Sequence, residues 1–393
     1  MAKAGGGKKR IFVSDIHMGD ERSIKPPNGL KPYSWLLPDR AKMFGDFLGI
    51  QLKDPDVKEV IILGDLFDDW VCPAQLDPMP AKPGVSKFHE IAQASQNVEA
   101  INNLKAIADS DQKDLIYVPG NHDMLITKEI ITNIIPGIKY MGTGEGQGVY
   151  TADGISGEHG NMYTLFNAPD PYSNQGYILP LGYFITRVVT EREARTGEHL
   201  EYLEALKVAI GQILGKADFA KMVFATIVKG AGMSNSSEII MGGINDYLDP
   251  LMPTCVEKIF GDLYDTWDKN MPNNVKASVA VADDTGHLFP AAFSQYLNKE
   301  GKSDIVIFGH THIYELHGTL IDWNEEDGQN NQSDFSLSSK QIYANSGTWV
   351  NDKKRCTFVE TQIDENAKKH FVRVNQYKED GEIKTLKEKN KRL

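Results

Sequence analysis

The chain has 393 residues, 41% of them hydrophobic and 24% charged, with a formal net charge of -12. That is the composition of a soluble globular protein, long enough for one large domain or two ordinary ones. The acidic balance argues against a protein whose main task is gripping nucleic-acid phosphates, and Cys72, Cys255 and Cys356 are too few and too scattered for a disulfide framework or a zinc finger.

Residues 1–9 read as a flexible Gly/Lys-rich tail without the apolar run of a secretion signal, and no stretch is long enough to span a membrane. A cytoplasmic location is therefore the default, and peripheral lipid contact is left open. Residues 11–14 form a short apolar strand ending at Asp15-Ile16-His17. A helix is expected over 38–53, with Met43, Phe44, Phe47 and Leu48 at helical spacing. Residues 60–63 are a buried strand running into Gly64-Asp65-Leu66-Phe67-Asp68. A Pro-rich loop covers 72–85 and one helix is expected over 86–108. Residues 114–118 make a third strand, closed by Gly120-Asn121-His122-Asp123. Strand, loop and helix alternate throughout this part, the rhythm of a layered α/β sheet whose ligands sit at the carboxyl ends of its strands.

The pattern then changes. Turns and short strands are expected over 138–150, and a strand over 162–166 just after Glu158-His159-Gly160. Residues 171–299 lack strand rhythm and carry helical stretches at 191–214, 217–229 and 248–267. They read as a mainly helical insertion capping the sheet edge, with the apolar run 177–189 as core. A helix over 290–298 leads back to a strand at 304–308, which ends at Gly309-His310-Thr311-His312. Strand-like runs at 315–321, 341–344, 357–361 and 371–377 suggest a second sheet, 325–338 a polar loop, and 378–393 a solvated charged tail. The core thus covers 10–170 and 300–377.

Four motifs each close an apolar strand. Together they offer carboxylates, an amide and imidazoles, the donors a pair of divalent cations needs. Asp15 and His17, at i and i+2 of an extended strand end, would project to one side and hold one cation. Gly64 gives the backbone room to bring Asp65 close, and a carboxylate there can bridge two cations. Asn121 offers an amide oxygen; His310 and His312 could serve one cation each. His89, His199, His287, His317 and His370 have no partner pattern and read as structural, and Asp20 and Asp69 as solvated surface.

In this order the motifs resemble the calcineurin-like metallophosphoesterases, whose signature is D-x-H, G-D-x-x-D, G-N-H-D/E, a lone His and G-H-x-H. The resemblance implies a four-layer α/β/β/α sandwich and two divalent metal ions, manganese by family habit, with iron, zinc or magnesium also suited. It implies that Asp15, His17, Asp65 and His312 hold one metal, and Asp65, Asn121, His159 and His310 the other. His159 is the lone His, chosen over His199 and His287 because it lies just before a strand in the core. The resemblance further implies that His122, oriented by Asp68, assists the leaving group while a metal-bridging hydroxide attacks phosphorus. Asn345-Ser346-Gly347 resembles the family's turn beside the site.

The resemblance spans 10–170 and 300–377 and leaves the insertion unmatched. Protein phosphatases of the family follow the second Asp with Arg, whereas Asp69 and Trp70 follow here. The string Gly64–Trp70 is most similar to bacterial UDP-diacylglucosamine pyrophosphohydrolases, which carry Arg where this chain has His122. The expected substrate is a phosphodiester, pyrophosphate or phosphomonoester, with no stable nucleic-acid binding. The alternatives are a catalytically silent scaffold, whose mark would be missing ligands, and a nuclease of the same superfamily, whose mark would be a basic groove. Substrate and oligomeric state are not legible.

Overall fold

The computed structural model describes residues 8–78, 85–144, 147–164, 166–170, 178–198, 226–234, 237, 239–240, 288–297, 303–318, 341–350 and 356–393. Its first half runs β1 (Lys9–Val13), α1 (Glu21–Ile24), α2 (Pro38–Lys53), β2 (Val57–Leu63), α3 (Lys87–Gln93), α4 (Val98–Asp109), β3 (Asp114–Val118), α5 (Lys128–Ile134) and β4 (Lys139–Tyr140). A small hairpin, β5 (Gly142–Gly144) and β6 (Gln147–Gly148), precedes β7 (Tyr150–Ala152) and β8 (Ile155–Gly157). Then come α6 (Leu181–Thr196), α7 (Phe289–Ala292) and β9 (Ile305–Phe308). The chain finishes with β10 (Tyr314–Gly318), β11 (Ile342–Ser346), β12 (Thr357–Asp364), β13 (Lys369–Tyr377) and β14 (Ile383–Arg392).

Beside the β5-β6 hairpin, two larger sheets form among the described residues: a seven-stranded one in the order β14-β13-β12-β1-β2-β3-β4 and a five-stranded one in the order β10-β11-β9-β8-β7. In β1 and β2 successive residues face opposite cores, which is why both strands read as unbroken apolar runs. Ile11, Val13, Val60 and Ile62 pack under α2 and α4, among Phe44, Phe47, Ile101 and Leu104. Phe12, Ile61 and Leu63 point the other way, to Ile155, Ile305, Ile307 and Ala344 of the second sheet. Phe289 of α7 lies on the far face of that sheet, with its ring centroid 5.5 Å from both Tyr343 and His317. The layers are therefore α/β/β/α, as expected.

Several boundaries differ from the sequence reading. The helix expected over 86–108 breaks into α3 and α4, because the buried Asn97 side chain donates to Ile91 O and Gly19 O, both at 2.9 Å. It thereby ends one helix and anchors the loop after the first motif. The strand expected over 162–166 is a 3₁₀ turn, Asn161–Tyr163. Of the run expected as core over 177–189, residues 179–189 are buried, and from Leu181 onward they form the first part of α6. The helix expected over 290–298 is α7 continued by the π turn Phe293–Leu297.

Within residues 378–393, read as a solvated tail, Ile383–Arg392 form the edge strand β14. Nearly all its side chains are exposed, so it carries no apolar alternation to read. Its charges are instead cross-strand partners: Arg373 of β13 pairs with Glu388 at 2.5 Å and with Glu360 of β12 at 2.7 Å. The helical stretch 248–267 and the loop 325–338 lie outside the described residues, as do most of 191–214 and 217–229. Among the described residues no helix is long and apolar enough to cross a membrane.

Candidate metal centre

The parallel strands of both sheets point their carboxyl ends at one place. Asp15 follows β1, Asp65 follows β2, Asn121 follows β3, His159 follows β8 and His310 follows β9. Beyond its end, the β1–β2 ladder continues through the loops. Asp15 N donates to Gly64 O at 3.2 Å, His17 N to Asp65 O at 2.9 Å and Met18 N to Leu66 O at 3.0 Å. Gly64 sits at φ +79°, and a Cβ on it would lie 2.6 Å from Gly120 Cα and from the His159 ring. No side chain fits there, so the second and third motifs can touch.

Asp15, His17, Asp65, His310 and His312 all have φ between 53° and 71°. The left-handed region costs a non-glycine residue on the order of 1–2 kcal/mol. This corrects the expected geometry of the i, i+2 pairs. They share a side because alternate residues turn left-handed, not because the strand stays extended.

The side chains fall into two groups. In the first, His17 Nε2 and His312 Nε2 stand 3.0 Å apart, with Asp15 Oδ1 3.4 Å from His312. In the second, Asn121 Oδ1 lies 2.9 Å from His159 Nε2 and 3.0 Å from His310 Nδ1. Asp65 Oδ2 reaches both groups, 3.7 Å from His17 Nε2 and 3.1 Å from His159 Nε2. Asp15, His17 and His312 form one set of mutually close donors and Asp15, Asp65 and His159 another.

The donor chemistry fits cations. His159 Nδ1 is 2.8 Å from Leu63 O and donates to it, so in the neutral ring Nε2 is a lone pair facing two more oxygen acceptors. His17 Nδ1 donates to Asp68 at 2.8 Å, which leaves His17 Nε2 as a lone pair toward His312. Asp15 Oδ1 is buried without a hydrogen-bond donor. Among the described residues the ion-pair partners of Asp15, Asp65 and Asp68 are all imidazoles. A buried cluster of acceptors and carboxylates of this kind calls for positive charge.

In the protein alone that charge comes from protons. Burial works against ionising Asp15, yet the facing His159 and His312 hold it at about 2. Burial likewise opposes ionisation of Asp65 and Asp68, and the imidazoles hold both well below the usual carboxylate range. Burial disfavours a charged His159, but Asp65 and Asp15 raise it to about 10. His310 is pushed down to about 3 by burial and by the neighbouring His159 charge.

His122 stands beside the first group. Its Nδ1 is 2.9 Å from Asp68 Oδ1, while Asp68 Oδ2 takes the His17 proton, so one carboxylate orients both rings. Trp70 stacks on His122 with centroids 4.5 Å apart and an interplanar angle of 27°. Trp70 in turn meets Tyr183 of α6 edge-on at 5.9 Å.

Every candidate residue of the sequence reading lies in this cluster. Asp20 and Asp69, expected on the surface, are buried. Asp20 caps α1 by accepting from Ser23 N and pairs with Lys87 and Arg22. The reading also gave no role to Asp123. Its carboxylate accepts the N–H groups of Asp65, Leu66, Phe67 and Gly120, at 3.3, 2.9, 3.3 and 2.7 Å. It therefore shapes the loop that presents Asp65; its signal was an acid closing the third motif. Arg187, fully buried on α6, donates to Cys72 O, Pro73 O, Leu76 O and Ile240 O, tying α6 to the loop behind Trp70. A lone Arg on an apolar helix gave no sign of this. The Asn345 turn is beside the site as expected: Asn345 Nδ2 donates to Gly309 O at 2.7 Å and Thr348 Oγ1 to Asp15 O at 2.7 Å. Cys72 and Cys356 are buried free thiols, and Cys255 lies outside the described residues.

With this geometry goes a match to the family model of the calcineurin-like phosphoesterases over residues 8–205, just over half of the chain. The protein belongs to that family. No curated protein matches it. Among solved structures it is similar to the calcineurin-like phosphoesterase YfkN from Bacillus subtilis, at 11% identity and a TM-score of 0.28, over 98% of this chain and 89% of that one. That likeness is too distant to bear on substrate.

Proposed function

We propose that this protein is a di-metal-dependent phosphoesterase that hydrolyses a phosphodiester, pyrophosphate or phosphomonoester, with His122 assisting the departing group. The observation that carries the reading is Asp68, whose two oxygens orient a metal-ligand imidazole and a free imidazole side by side. A scaffold would have no use for the second. Asp15, His17, Asp65 and His312 would hold one cation, and Asp65, Asn121, His159 and His310 the other. When bound, the cations neutralise charge on the phosphoryl oxygens and acidify a water molecule.

The rest is done by the chain. Asp68 keeps the Nδ1 protons on His17 and His122, so His17 offers Nε2 as a ligand and His122 offers Nε2 to the substrate. Protonated at Nε2, His122 gives that proton to the leaving oxygen, with Asp68 holding the ring in orientation through Nδ1. Trp70 covers one face of His122 and keeps water from it. Helix α6 packs on Trp70 through Tyr183, which supports a role for the insertion in shaping the substrate pocket.

Manganese is the metal to load first; iron, zinc and magnesium suit the same oxygen and nitrogen donors. The test is hydrolysis of bis-p-nitrophenyl phosphate and p-nitrophenyl phosphate by metal-stripped protein reloaded with manganese. Metal-dependent turnover is expected, and the preferred ester assigns the subclass. Two bound metals with no turnover of these or of pyrophosphate esters would sink the proposal.

A further inference from the structure

Thr164 follows the 3₁₀ turn Asn161–Tyr163 and is fully buried. Its hydroxyl donates to Asn161 O at 3.0 Å and stands 3.1 Å from His310 Nε2. A hydroxyl carries a single proton. With that proton on Asn161 O, Thr164 Oγ1 can only accept from His310, so His310 Nε2 is an N–H. In the neutral ring Nδ1 is then a lone pair. It lies 3.0 Å from Asn121 Oδ1 and 3.3 Å from His159 Nε2. His159 Nε2 is likewise a lone pair when its ring is neutral, because Nδ1 donates to Leu63 O. Three atoms with no proton between them thus converge in a buried place, an arrangement completed by a cation. The Asn167 amide, 3.5 Å from His310 Nε2, is at the outer limit of hydrogen-bond reach and does not alter this.

Thr164 is itself held by the segment that leads to α6. Ala168 N donates to Thr164 O at 3.1 Å, and Gly182 N, in the first turn of α6, donates to Phe166 O at 2.8 Å. A Cβ on Gly182 would collide with Asn167 Oδ1 and lie 2.7 Å from Phe166 O, so α6 presses directly on this segment. We infer that Thr164 is the positioning residue of the second ligand group: it accepts the His310 Nε2 proton and so turns His310 Nδ1 toward the second cation. Thr164 does for His310 what Asp68 does for His17. This rests on the phosphoesterase reading.

Thr164→Val keeps the side-chain shape and removes the hydroxyl, while Asn161 O keeps the bond from the main-chain N–H of position 164 at 3.2 Å. The probe is manganese, titrated calorimetrically into metal-stripped protein. Affinity should fall roughly 10–100-fold at one of two sites, the effect of losing a partner behind a ligand. Thr164→Ser, which returns the hydroxyl, should restore it. In a His159→Ala background, where the second site is expected to be empty, Thr164→Val should leave the remaining affinity unchanged. Unchanged affinity at both sites in Thr164→Val, or equal weakening of both, overturns the proposal while leaving the phosphoesterase reading intact. A wild type that binds fewer than two manganese ions and hydrolyses no ester overturns both. A second measurement needs no variant. Nitrogen NMR of the metal-free wild type with isotope-labelled histidine, near neutral pH, should place the His310 ring proton on Nε2, and a proton on Nδ1 overturns the proposal.

Discussion

The two halves of the centre are built differently. His159, in the second half, is buried and oriented by a main-chain carbonyl, Leu63 O, at the end of a central strand. His17, in the first half, is oriented by a side chain, Asp68, which it shares with His122, and its neighbour His312 is 22% exposed. One half is set by the sheet, the other by a carboxylate that also orients His122. The second half should therefore behave as a fixed anchor. The first should be the place where metal affinity and leaving-group chemistry are linked.

The largest effect tests what joins the halves. Asp65→Asn removes the carboxylate that reaches both, and metal-dependent hydrolysis should fall by at least ~10³-fold in steady-state assays. Full activity would mean the halves are not coupled through Asp65. His122→Ala should cost about 10²–10⁴-fold in kcat for esters with poor leaving groups and much less for p-nitrophenyl esters, with both metals retained. An equal loss on both ester classes would remove His122 from the leaving-group side.

Asp68→Asn sharpens the contrast. It should weaken one of two metal sites by roughly 10–100-fold, the effect of losing a partner behind a ligand, and also impose the leaving-group dependence of His122→Ala. Metal titration followed by elemental analysis distinguishes this from His159→Ala, which should empty the other site without changing leaving-group dependence. Equal weakening of both sites by Asp68→Asn would erase the difference between the halves.

The smallest effect lies away from both. His370 on β13 is buried, and burial together with the Lys391 and Arg10 charges pulls it from 6.5 down to about 4. The unfolded chain therefore takes up this proton at higher pH than the folded one. The stability at stake is complete above about pH 6.5 and is lost as pH falls toward 4, on the order of 1–3 kcal/mol. His370→Gln should flatten the stability profile in that window, read by urea unfolding at pH 7, 5.5 and 4.5. An unchanged slope would assign acid sensitivity to other groups, the metal centre among them.

Much of this was legible because a buried parallel strand is short, apolar and followed at once by its ligand. β1, β2, β3 and β9 each announce themselves in that way, and so six of the clustered donors and His122 could be picked out from the chain; His159, which follows β8, was singled out by the family resemblance, and the strand expected just after it is a 3₁₀ turn. What was not legible depends on distant contacts. Asn97 breaks a helix because Gly19 needs a partner, and nothing in the local pattern of 86–108 carries that information. β14 is polar on both faces, so its pairing shows in cross-strand charges and not in period. Asp20 and Asp69 looked like surface because acids usually are, and Trp35, whose ring centroid lies 4.9 Å from that of His17, reaches the centre only through the fold. The left-handed turns at five ligands were hidden for the same reason: Asp and His tolerate that region, but do not advertise it as glycine does.

Those five turns bear on how the protein lives with its metals. Donor placement is written into backbone dihedrals at the ends of the strands of the two sheets. Stripping bound cations with a chelator should therefore leave the fold intact, which circular dichroism before and after chelation would check. Exchange of one metal for another should then be governed by supply rather than by refolding.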